Sequence, residues 1–129
     1  MTPKVQLGRI GQIAMPVKDL GRAVAFYRDK LGMKFLFEAP PALAFFDCGG
    51  VRLMLDVPED RQFLRHGSVL YFTVPDVKAA YEALHGSGVE FVDAPHVIHR
   101  TPQYELWMCF FHDTEENMLA LMAEVPTDR

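Results

Sequence analysis

Three of the five histidines fall close together, at His96, His99 and His112, with Arg100 and Glu105 nearby. Imidazole changes charge near neutral pH and is the commonest metal donor, so such a cluster could hold an ion or move a proton. The spacing counts against an ion. His96 and His99 are three apart, which joins them on a helix but sets them on opposite faces of a strand. Pro95 and Pro102 bracket a strand-like Val97-Ile98, so a helix is not expected. The segment reads as a solvated loop or lip in which His99 touches a ligand. Elsewhere, Tyr71 could donate from its phenol or sit in the core with its hydroxyl satisfied. Arg52 could pair with an anionic ligand, with Asp56, or with water. Trp107 reads as core.

These groups are carried by a pattern that occurs twice. Residues 12–33 and 69–91 each read as an apolar strand, an aspartate, a short amphipathic helix and a glycine stop, with Asp19 and Asp76 57 residues apart. A repeat of this kind decides the fold. Asp19 can cap a helix whose apolar stripe is Leu20, Val24, Tyr27 and Leu31, ended by Gly32. Strands follow at 34–38, 42–47 and 51–56, with Cys48-Gly49-Gly50 as a tight hairpin. Residues 58–67 read as a linker. The second half gives a strand at 68–74, a helix at 76–86, and strands near 89–93, 104–112 and 117–124. The expected fold is α+β: two tandem βαβββ modules, about 9–57 and 67–125, in a single domain spanning 1–129.

Composition narrows the function. The chain has 129 residues, half of them hydrophobic, and a net charge of −4. That supports a packed core, and the absence of basic runs argues against nucleic acid. Neither a signal peptide nor an 18-residue apolar run is legible, so the expected setting is cytoplasmic with no membrane partner. Cys48 and Cys109 read as separate thiols.

The order of Val17-Lys18-Asp19-Leu20, Ala25-Phe26-Tyr27-Arg28, Leu31-Gly32-Met33, Gly49-Gly50-Val51-Arg52-Leu53 and Phe111-His112-Asp113 resembles the vicinal oxygen chelate superfamily. That superfamily includes glyoxalase I, bleomycin-resistance proteins, fosfomycin-resistance enzymes and extradiol dioxygenases. The resemblance implies two modules forming a curved sheet cup with helices outside, often completed in a homodimer, and a divalent ion held by His or Gln and Glu from each module. It maps those four ligands onto Gln12, Met54, Val69 and Ala120. An amide, a thioether, an isopropyl group and a methyl group are a poor donor set for zinc, nickel, manganese or iron(II). No metal and no cofactor are therefore expected.

Period-two alternation then assigns the cup lining. Gln12, Ala14, Val69, Tyr71 and Thr73 come from the first strands, and Arg52, Met54, Asp56, Met118, Ala120 and Met122 from the last. Met108 and Phe110 join them if the last hairpin pairs as in relatives. That hairpin departs from the family's Asp-Pro-Asp-Gly-Asn pattern, with Glu116 in the glycine position. Either Asn117 turns left-handed or the register shifts. A thioether-rich apolar cup suits an aromatic or irregular organic guest. The expected function is metal-independent binding of a hydrophobic or aromatic small molecule. The alternatives are a glyoxalase-like lyase or isomerase, or a dioxygenase-related enzyme, with a displaced or absent metal, and a structural dimer whose cup is filled by side chains.

Overall fold

The computed structural model describes residues 9–59 and 67–127. Residues 60–66 of the expected linker and the first eight residues lie outside the described part.

The first module runs β1 (Gln12–Pro16), α1 (Leu20–Ala25), a π-helical turn (Phe26–Lys30), β2 (Lys34–Ala39), β3 (Leu43–Cys48) and β4 (Val51–Asp56). Its sheet has the order β1-β4-β3-β2, with β1 parallel to β4. The second runs β5 (Leu70–Thr73), α2 (Val77–Gly86), β6 (Glu90–Phe91), β7 (His96–Arg100), β8 (Tyr104–His112) and β9 (Met118–Pro126). Here β5 lies parallel to β9, and β9 pairs with β8. The α+β fold expected from the sequence is what the chain adopts.

Both helices start on the aspartate the repeat supplies. Asp19 accepts from the Arg22 backbone N–H at 3.0 Å, and Asp76 from that of Ala79 at 3.2 Å. The first helix is not α-helical throughout. It widens into the π turn, closed by Leu31 N–H donating to the Phe26 carbonyl at 3.1 Å. Adjacent Phe26 and Tyr27 are both buried, where a regular stripe predicts only Tyr27. Gly49 and Gly50, both at positive φ, form the two-residue turn between β3 and β4, a conformation open to glycine at little cost.

Residues 95–102 do not form the solvated loop expected of them. β6 and β7 both lie on the outer edge of β8 and act as one interrupted strand. Across the interruption Asp93 accepts the Phe110 N–H at 2.8 Å, while Val92 N–H donates to the Phe110 carbonyl at 2.8 Å. The Asp93 carboxylate thus takes the place of a strand carbonyl as acceptor for Phe110 where the edge strand is interrupted.

The helix-facing sides of both sheets meet in one core. Phe46, Leu53 and Leu55 from one sheet and Phe111, Leu119 and Leu121 from the other pack with Val24, Phe26, Tyr27 and Val77. Each such side chain contributes about 1.5–3 kcal/mol by leaving water. Cys109 is buried here, and burial pushes its thiol up to about 11; both cysteines are free.

Polar groups lock the modules together at the β8–β9 hairpin. Glu115, fully buried, accepts from the backbone N–H groups of Lys18 (2.7 Å) and Asp19 (2.9 Å), from Arg22 Nε (2.8 Å) and from Thr114 Oγ1 (2.8 Å). Burial pushes the carboxyl up, but these donors outweigh it and hold it down at about 2. Beside it, Asp113 accepts from the Tyr27 hydroxyl at 2.8 Å and from Asn117 Nδ2 at 2.8 Å. Burial, then Asp113, push the Tyr27 phenol far up, so it stays a neutral donor.

The same hairpin corrects both sequence-based alternatives. Glu116 itself takes the left-handed conformation, at φ 70°, and the register is unshifted, with Phe110 opposite Ala120 and His112 opposite Met118. Asn117 instead uses its side chain, donating to the Pro16 carbonyl at 3.1 Å. Left-handed backbone costs a non-glycine residue about 1–2 kcal/mol, more than the exposed Lys18–Glu116 pair returns. Glu116→Gly is therefore expected to raise stability by about 0.5–1 kcal/mol, read as a thermal midpoint a few degrees higher.

Candidate ligand-binding faces

On each sheet, the face turned away from the helices carries the candidate site. Leu53 and Leu55 are buried in the core, so the alternate residues of β4, Arg52, Met54 and Asp56, occupy the other face. Register extends that face across the first sheet in rungs. One rung joins Gln12, Arg52 and Asp47; the next joins Ala14, Met54, Phe45 and Phe37. Gln12 Nε2 lies 3.8 Å from Met54 Sδ, so the two residues mapped as the first module's ligand pair do meet. Phe37 and Phe45 stack with centroids 4.7 Å apart and planes at 29°, and the Arg52 guanidinium lies 5.5 Å from the Phe45 centroid and 6.0 Å from that of Phe37.

Phe37 and Phe45 were not legible as site residues. Ala44, Phe45 and Phe46 are buried in succession, which erases the alternation that would have assigned a face. The pairing of Phe45 with Met54 was the usable signal.

On the second sheet one rung joins Tyr71, Ala120 and Phe110, and the next joins Thr73, Met122, Met108 and His96. The Tyr71 and Phe110 rings meet edge to face at 5.9 Å and 80°. Ala120, between them in the sheet, has no exposed surface, while Tyr71 is 48% exposed. The position mapped to a metal-binding carboxylate is therefore a methyl group roofed by two rings. Val69 precedes β5 rather than lying within it. With Tyr71, Ile13, Cys48 and Leu53 it borders a cleft of about 370 Å³ between the modules.

The histidines do not gather. A β-bulge after Val97 sets His99 beside Leu106 and His96 beside Met108, so both lie next to β8 residues of one face. The opposite-faces argument from spacing fails because Ile98 is an extra residue. His112, however, is six residues along β8 from Leu106, roughly 20 Å. His96 Nδ1 lies 2.8 Å from the Ala94 carbonyl, and His112 Nδ1 lies 3.8 Å from Glu90. Among the described residues no group of three or more His, Cys, Asp or Glu side chains could hold a metal ion. The mapped set of amide, thioether, isopropyl and methyl does not fit a divalent ion either. Trp107 lies on the helix side as expected, with Lys78 Nζ 4.5 Å from its ring centroid. Arg100 pairs with Glu105 at 3.0 Å. No helix among the described residues is long and apolar enough to cross a membrane.

Comparison with known proteins agrees with this architecture. A glyoxylase-like domain-containing protein of Didymella fabae is 32% identical over 133 residues, covering 88% of this chain and 92% of that protein. The crystal structure of lactoylglutathione lyase from Agrobacterium tumefaciens superposes with a TM-score of 0.69 at 24% identity, over 92% of this chain and 95% of that one. TnmS3, an antibiotic binding protein from Streptomyces sp. CB03234, superposes with a TM-score of 0.75 at 21% identity, over 96% and 100%. At such identities the structural likeness speaks for the fold alone. The family model describing the Glyoxalase/Bleomycin resistance protein/Dioxygenase superfamily matches residues 9–121, and the chain belongs to that superfamily.

Proposed function

We propose that this protein binds a hydrophobic or aromatic small molecule without a metal, on the faces that carry Gln12, Arg52, Met54, Tyr71, Met108, Phe110, Ala120 and Met122, with Val69 and His99 at their margins. The observation that carries this reading is position 120, mapped to a metal-binding carboxylate, where a buried methyl group lies in register between Tyr71 and Phe110, whose rings meet edge to face. Aromatic and thioether groups gain most from burying apolar surface, about 25 cal/mol per Å² before ordering costs. The two exposed rings, Phe37 at 44% and Tyr71 at 48%, support a second copy completing the site, and a homodimer is part of the proposal.

The test uses N-phenyl-1-naphthylamine, an uncharged aromatic probe, with protein stripped by chelator. Saturable binding unaffected by chelator, weakened about tenfold by Phe110→Ala, is the expected result. A requirement for a stoichiometric divalent ion, or no saturable binding, would overturn the reading. Light scattering should give twice the chain mass. The enzymatic alternative draws on Tyr71 and on the bulge that sets His96 and His99 beside one face. Turnover that is abolished by His99→Ala would favour it.

A further inference from the structure

Arg52 stands on the outward face of the first sheet with no acid for a partner among the described residues: no carboxylate lies within 4.0 Å of its guanidinium. Two carboxylates share its face: Asp47, directly opposite it in register, and Asp56 further along β4. Asp47 instead faces its own hairpin, accepting from the Gly50 N–H at 3.3 Å. The guanidinium rests against the Phe45 and Phe37 rings. A planar, weakly hydrated cation suits that seat, which steadies it while leaving its N–H edge available. Gln12, its neighbour in register on β1, directs its amide nitrogen at Met54 Sδ, 3.8 Å away.

A small hydrated anion gains little here, because water screens the exposed arginine and competes for its N–H groups. An anion that brings its own ring is different. The ring is held by Phe37, Met54 and Ala14, and the charge then lies at the Arg52 edge, where a charge-assisted hydrogen bond is stronger than a neutral one. We infer that the ligand of this face is an aromatic anion, a flat ring system bearing a carboxylate, sulfonate or phosphate that Arg52 receives. The inference rests on the proposed hydrophobic-ligand function and names its chemical class.

The experiment compares 1-anilinonaphthalene-8-sulfonate with N-phenyl-1-naphthylamine, nearly the same ring system with and without an anion, by calorimetry. The sulfonate is expected to bind about tenfold more tightly, as one charge-assisted hydrogen bond supplies. Arg52→Gln should bring the affinity ratio close to one. Lys78→Gln, which removes an equal charge from the helix side, should leave the ratio as it was. Tenfold excess sulfate should displace little of the bound dye. Binding of the neutral probe with no preference for the sulfonate would overturn this inference and leave the hydrophobic-ligand function standing. A preference that survives Arg52→Gln, or falls equally in Lys78→Gln, would also overturn it. Failure of both probes would remove the two readings together.

Discussion

Replacing Glu115 by alanine is expected to destabilise the protein by about 3 kcal/mol, read as a lower denaturant midpoint. The substitution strips acceptors from the Lys18 and Asp19 N–H groups at the start of α1, and a buried unsatisfied donor costs about 1–3 kcal/mol. Arg22 loses its partner too, but its half-exposed guanidinium recovers water, so that part of the loss is small. Glu115→Gln keeps an acceptor and loses the charge, and should cost less. The pH dependence separates the two effects. The folded carboxyl sits at about 2, below its ordinary 4.5. Its contribution is therefore complete above about pH 4.5 and lost as pH falls towards 2. Wild type and Glu115→Gln should converge in stability across that window. Parallel curves would show that the charge at residue 115 contributes nothing.

Ala120→Glu is expected to fail twice. The methyl has no exposed surface beneath Tyr71 and Phe110, so a longer, charged side chain must displace a ring or be buried without a partner. Overpacking alone costs about 1–3 kcal/mol, and a buried unpaired carboxylate adds to it. The variant should melt several degrees lower. It should also bind nickel or zinc no better than the parent, since Gln12, Met54 and Val69 still supply no imidazole or carboxylate. Tight stoichiometric binding would contradict the ligand mapping.

The repeat around Asp19 and Asp76 made the fold legible, because a capping aspartate ahead of an apolar stripe is a local signal that tertiary packing did not have to create. Alternation assigned Arg52, Met54, Tyr71, Met108, Phe110 and Met122 to faces that the strand register reproduces. Three features escaped for one physical reason, that each is set by a neighbouring element and not by its own local pattern. The Val97 bulge is set by β8, the left-handed Glu116 by the lock on α1, and the Phe37–Phe45 stack by pairing with Met54. The seat of Arg52 on those rings, rather than against Asp56, follows from the same stack.

The β8–β9 lock also bears on how the chain is made. The Lys18 and Asp19 N–H groups and the Tyr27 hydroxyl find their acceptors at residues 113 and 115, 86 to 97 positions later. The leading module therefore leaves the ribosome with its first helix unfinished, and nearly the whole chain must emerge before that helix is complete. Contacts of such long range slow folding. They also leave the first half, taken as an independent fragment, without the acceptors that complete its first helix. A duplicated architecture has thereby become a single folding unit, sealed by its last hairpin.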